Sequence, residues 1–122
     1  MNQERRSYPR VSINLAVNIK GENFDFAVET KNISASGIYC QVGCFVPLMT
    51  KLSLRMYVPL IINEKKEDKQ INCSAVVVRV EPGINEELKK YYNLALFFND
   101  ISENDQILIT KYINQAFFAG NN

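Results

Sequence analysis

The chain has 122 residues, of which 47% are hydrophobic and 22% charged, with a formal net charge of +1. A chain of this size and composition buries one core of its own, which excludes a disordered or fibrous polymer. The small net charge excludes a surface shaped throughout to attract nucleic acid or an anionic membrane, so no DNA or RNA partner is expected.

Positive charge is nevertheless concentrated at the start, where Arg5, Arg6, Arg10 and Lys20 stand against Glu4 alone. From Val11 the residues Val11, Ile13, Leu15, Val17 and Ile19 alternate with polar or small ones, the period of a half-buried strand ending at Lys20. Gly21-Glu22-Asn23 reads as a tight connection to a second strand carrying Phe24, Phe26 and Val28, so the pair forms a hairpin. A third strand is expected near Gly37, with Ile38, Cys40 and Val42 on one face and Tyr39 and Gln41 on the other. Pro47 marks the loop that follows, and Cys40 and Cys44 read as core residues.

Leu52, Leu54, Met56 and Val58 repeat the alternation in a fourth strand. The charged run Asn63 to Lys69 reads as a solvated loop. In the next strand the apolar phase slips from Ile71, Cys73 and Ala75 to Val76, Val78 and Val80, as a β-bulge would cause. Pro82-Gly83 is expected to break that strand, Asn85 to Lys90 to form a polar connection, and Tyr92, Leu94, Leu96 and Phe98 to supply the last strand.

The tail changes period. Ile109, Tyr112, Ile113, Ala116 and Phe117 share one side of a helix, with Ser102 as its N-cap, Glu103 and Asp105 in its first turn and Gly120 at its end. The fold class is therefore all-β dominated: an antiparallel barrel of about six strands whose opening is sealed by one C-terminal α-helix. Residues 1–10 hold too little apolar surface to dock alone and read as a flexible arm, while 11–122 form a single barrel domain.

Barrels of this size host many activities, so function has to come from the motifs. Arg6-Ser7-Tyr8-Pro9-Arg10 stands just before the first strand and Asn32-Ile33-Ser34-Ala35-Ser36-Gly37 just before the third. Together they resemble the Arg-x-x-x-Arg and Asp/Asn-x-Ser-x-x-Gly signatures of PilZ domains, in the family's order and spacing. Val77-Val78-Arg79-Val80, the late strand ending Phe97-Phe98 and the acidic-capped helix extend the resemblance over nearly the whole chain.

The resemblance implies a receptor or adaptor for cyclic di-GMP, with Arg6 and Arg10 on the phosphates and guanine and with Asn32 and Ser34 completing the site. The chemistry is apt. A guanidinium can donate two parallel hydrogen bonds to a phosphate or to guanine O6 and N7, and its flat face can stack on a base. Pro9 keeps Tyr8 extended, so both arginines can reach one ligand. Gly37 would permit a close approach or a positive φ. Asn32 offers one carbonyl where an aspartate would accept from guanine N1–H and N2–H together. In this family a basic residue such as Arg5 before the first motif arginine accompanies an intercalated ligand pair, which implies two cyclic di-GMP molecules per chain. Many relatives carry a glycine near Tyr92-Asn93, so no ligand contact is assigned to that strand.

The arm is expected to fold over the nucleotide and so present an altered surface to a separate effector protein, in motility, adhesion or exopolysaccharide control by the family resemblance. Two readings compete. One is an oligonucleotide-binding small barrel using the three arginines with Tyr8 and Tyr39, and the other is a PilZ adaptor that needs no ligand. Catalysis is not expected, because histidine is absent and no cysteine has a basic neighbour in sequence. Cys40, Cys44 and Cys73 are too few for a closed zinc site, so no metal or other cofactor is expected. No apolar run approaches the roughly 20 residues that cross a bilayer and no signal peptide is apparent, so the expectation is a cytoplasmic protein without membrane insertion.

Overall fold

The computed structural model describes residues 12–120. Six strands, β1 (Ala16–Lys20), β2 (Asp25–Ser34), β3 (Gly37–Val42), β4 (Lys51–Ile62), β5 (Lys65–Ile84) and β6 (Lys90–Asp100), precede one helix, α1 (Glu103–Gly120). The strands are antiparallel and close into a barrel in the order β1-β2-β3-β6-β5-β4. β1 completes the ring by pairing with β2 on one side and β4 on the other. The expected all-β barrel with a terminal helix is the fold observed.

The period-two pattern works as read over most of the ring. Val17, Ile19, Ile38, Cys40, Val42, Leu52, Leu54, Met56, Val58, Leu94, Leu96 and Phe98 all point inward and are buried. β1 is shorter than the run from Val11 to Lys20: residues 12–15 lie outside it, although Leu15 is buried and Ile13 packs on the core. Val11 is outside the described residues.

Three expectations about β4 and β5 are corrected. Asn63 and Glu64 both have positive φ, 53° and 67°, which makes them a two-residue hairpin turn whose twist suits the flanking strands. The charged run therefore does not form a loop: Lys65–Lys69 pairs with Val58–Ile62. Nor do Pro82 and Gly83 break β5, which pairs through both of them with Tyr92 and Tyr91 and continues to Ile84. Pairing with β4 stops at Val76, so this end of β5 is an edge strand, where a proline removes no ladder bond. Gly83 leaves room for the Tyr91 ring, which lies where a β-carbon would stand.

The bulge lies where the phase slips, with register shifts at Ser74/Ala75 and at Val77/Arg79. The face assignment is different, however: Val77 is fully buried and Val78 is 50% exposed. Val78 is the extra residue between Val77↔Leu96 and Arg79↔Ala95, so it leaves the ladder and turns outward.

Ser102 caps α1 by accepting the Asp105 N–H at 3.1 Å. Ile109 and Ile113 enter the barrel core, and the helix is fastened at two levels. Gln106 Nε2 donates to the Ala35 carbonyl, and Gln115 bonds both the N–H and the carbonyl of Ile61. Phe117, expected on the inward side, is 55% exposed because the last turn runs beyond Gln115, the final clamp on the barrel. Among the described residues no helix is long and apolar enough to cross a membrane.

Candidate functional site

The Asn32–Gly37 motif is a hairpin with a two-residue turn at Ala35-Ser36. Asn32, Ile33 and Ser34 end β2 and Gly37 opens β3, with Ser34 opposite Gly37 and Asn32 opposite Tyr39. Ile33 points into the core, so its neighbour Asn32 lies on the outer face, half-buried. Ser34 is fully buried, and its Oγ accepts the Ser36 N–H at 3.1 Å and meets Ser36 Oγ at 3.0 Å. The Ser34 hydroxyl thus organises the turn. The Ser36 carbonyl in turn accepts the Phe98 N–H from β6, which ties the hairpin to its neighbour.

Gly37 has an ordinary φ, since no described glycine takes a positive one. Close approach is the reason for a glycine here: a β-carbon would strike the Leu96 carbonyl oxygen of β6.

The pairing registers place Asn32, Tyr39, Ala95 and Arg79 in one row across β2, β3, β6 and β5. Beside it runs a second row of Gln41, Asn93 and Glu81. The Tyr39 hydroxyl donates to Glu81 Oε1 at 2.6 Å, so this side chain spans β6 to reach β5. Ala95, only 4% exposed, forms the small floor beneath that span. The hydrogen bond to Glu81, together with burial and the carboxylate's charge, raises the Tyr39 pKa above the ordinary tyrosine value. Arg79 Nη1 lies 3.7 Å from Glu81 Oε2, and both side chains are largely exposed. Phe97, opposite Gly37, is 49% exposed beside the first row.

The first row of this face offers an amide, an aromatic ring, a small floor and a guanidinium on four neighbouring strands. Such a set can take a planar heteroaromatic group by stacking and edge hydrogen bonds. The chain pattern set Tyr39 on the face opposite the inward residues of its strand, but only the registers bring it into line with Asn32 and with Arg79, which is 40 residues further along the chain. Asn93 lies in the second row, and its Oδ1 is buried with no hydrogen-bond partner among the described residues. Arg5, Arg6, Arg10 and Tyr8 lie outside the described residues. Among the described residues no three His, Cys, Asp or Glu side chains come together as a metal-ion cluster.

A family model, the PilZ domain, matches residues 4–115. Among solved structures, the Bacillus subtilis inhibitor of motility (MotI/DgrA) superposes with a TM-score of 0.75 at 26% identity, covering 94% of this chain and 52% of that one. The K. pneumonia MrkH–c-di-GMP complex superposes with a TM-score of 0.67 at 19% identity, covering 96% and 54%. The PilZ domain of Escherichia coli YcgR with c-di-GMP gives 0.64 at 12% identity, covering 96% and 98%. The chain thus spans about half the length of MotI and MrkH. Among curated proteins none matches the chain by sequence.

Proposed function

The chain belongs to the PilZ domain family, and on that premise we propose that it is a cyclic di-GMP receptor that acts by binding, without catalysis of its own. The observation that carries this reading is the extent of the family match, which takes in both the Arg6–Arg10 segment and the Asn32–Gly37 hairpin. Two of the similar structures, MrkH and the YcgR domain, are complexes with c-di-GMP, which supports the same ligand here.

In this reading Arg5, Arg6 and Arg10 carry the phosphates and the guanine O6/N7 edge, and Asn32 accepts from the base on the barrel's outer face. Ser34 and Gly37 serve that contact through the turn and the close β3–β6 approach. The Tyr39 ring and the Arg79 guanidinium extend the surface on which a base can rest. Two stacked ligands would gather four phosphate charges, and Arg5 supplies an additional cation to offset their repulsion. Residues 1–10 are the arm that orders on binding, 11–122 the barrel domain that carries the rest of the site, and the altered surface is offered to an effector protein in the cytoplasm.

Titration calorimetry of the wild type and Arg10→Ala with cyclic di-GMP, GTP and a short single-stranded oligonucleotide tests the reading. We expect heat from cyclic di-GMP alone, two ligands per chain, and binding about ten- to a hundredfold weaker in Arg10→Ala, the cost of one charge-assisted hydrogen bond. A folded wild-type protein that ignores cyclic di-GMP at high micromolar concentration removes the reading. One ligand per chain removes only the paired arrangement, and preference for the oligonucleotide transfers the site to nucleic acid.

A further inference from the structure

Two donors on the proposed ligand face already have a carboxylate beside them. In a regular strand Arg79 and Glu81 would share the inward face of Val77, because side chains repeat every second residue. The bulge that ejects Val78 reverses that phase: Val80 packs against the core, and Arg79 and Glu81 are exposed on the outer surface. There the two oxygens of Glu81 face different partners. Oε1 accepts the Tyr39 hydroxyl at 2.6 Å, and Oε2 lies 3.7 Å from Arg79 Nη1.

Glu81 thus stands where an anionic ligand would seek its donors. A phosphodiester, like a carboxylate, carries one negative charge over two oxygens, so it competes for the same hydroxyl and guanidinium. The existing contact is loosely held. The Arg79 and Glu81 side chains are 61% and 47% exposed, and an ion pair so open to water contributes little to stability. A ligand can therefore exchange with it without disturbing the barrel beneath, where Ala95 remains as the floor.

We propose that Glu81 is a resident competitor for the ligand face: its carboxylate holds the Tyr39 hydroxyl and stands beside Arg79, and an anionic ligand takes those donors by displacing it. The proposal rests on the cyclic di-GMP reading and deepens it by naming a residue that lowers the affinity of the site. A phosphate approaching the row of Asn32, Tyr39, Ala95 and Arg79 meets the repulsion of the Glu81 charge and has to break the Tyr39–Glu81 hydrogen bond. Repulsion built into a site lowers affinity for every anion, so only a ligand with enough further contacts binds at its working concentration.

Glu81→Gln tests this. The amide keeps the shape and can still accept from Tyr39, but it carries no charge and its hydrogen bond is weaker. At an exposed position the exchange is compatible with the fold. Calorimetric titration with cyclic di-GMP compares it with the wild type and with Glu67→Gln, which removes the same charge 14 residues away along β5. We expect Glu81→Gln to bind about three- to tenfold more tightly than the wild type, and Glu67→Gln to bind as the wild type does. A gain in affinity is an effect that damage to the fold does not produce. Equal or weaker binding by Glu81→Gln overturns the proposal and leaves the cyclic di-GMP reading intact. An equal gain in Glu67→Gln overturns it too, because net charge alone then accounts for the effect. Binding by Glu81→Gln where the wild type shows none upholds the proposal, and absence of binding by both removes the proposal together with the reading it rests on.

Discussion

Whether a thiol reacts depends on whether water can stabilise its thiolate. Cys40 and Cys73 are buried, and burial pushes both thiols up to about 12, so at neutral pH they are protonated and shielded. Cys44 is exposed, which corrects its reading as a core residue. The alternation through Ile38, Cys40 and Val42 stops when β3 ends at Val42, and the loop beyond turns the next side chain outward. A thiol reagent at pH 7.5 should therefore modify one cysteine in the native protein and all three after denaturation, and Cys44→Ser should abolish the native reaction, as mass spectrometry will show. Native labelling of Cys40 or Cys73 would contradict the burial described. Among the candidate site residues, the need for glycine at 37 was legible in the motif. The choice between a positive φ and a close approach was not, because the Leu96 carbonyl that requires it is 59 residues away.

At the level of elements, the strand pattern located the bulge in β5 but assigned the wrong valine to the core. Counting by twos from Val76 puts Val78 inside, yet a bulge resets the count at the residue it ejects, and that residue is Val78. The distinction is measurable. Val77→Asp buries a carboxylate and should destabilise the fold by several kcal/mol, whereas Val78→Asp at an exposed position should cost less than about 1 kcal/mol. Urea titrations of the two variants decide it, and equal losses would refute the register. The charged Asn63–Lys69 run misled for a different reason. Loops and exposed edge strands are both hydrophilic, and charges on an edge strand also discourage pairing with other chains. What marks it as a strand is the positive φ at Asn63 and Glu64, a property of the turn.

For the whole molecule, stability depends on closure, since β1 is the one strand that joins β2 to β4. Val17 pairs with Val28 on one side and Met56 on the other and is 2% exposed. Val17→Asp should therefore abolish folding as a unit, with loss of the far-UV strand signal at 25 °C. A native spectrum and an unchanged melting midpoint would show that the ring closes without this residue. The row of Asn32, Tyr39, Ala95 and Arg79 depends on another long-range step of the same ring, the pairing of β3 with β6, which joins the hairpin of β2 and β3 to that of β5 and β6.

The sequence by itself determined the number of strands, the helix and its cap, most inward-facing residues, and the two motifs. All of these depend on interactions between near neighbours or on a face repeating every second or fourth residue. Only the tertiary structure decided which faces meet, where the bulge sends its extra residue, that β5 continues through Pro82 and Gly83, and that Tyr39 reaches across β6 to Glu81. These features arise from pairings across the ring, and local periodicity carries no information about which distant strand will supply the partner.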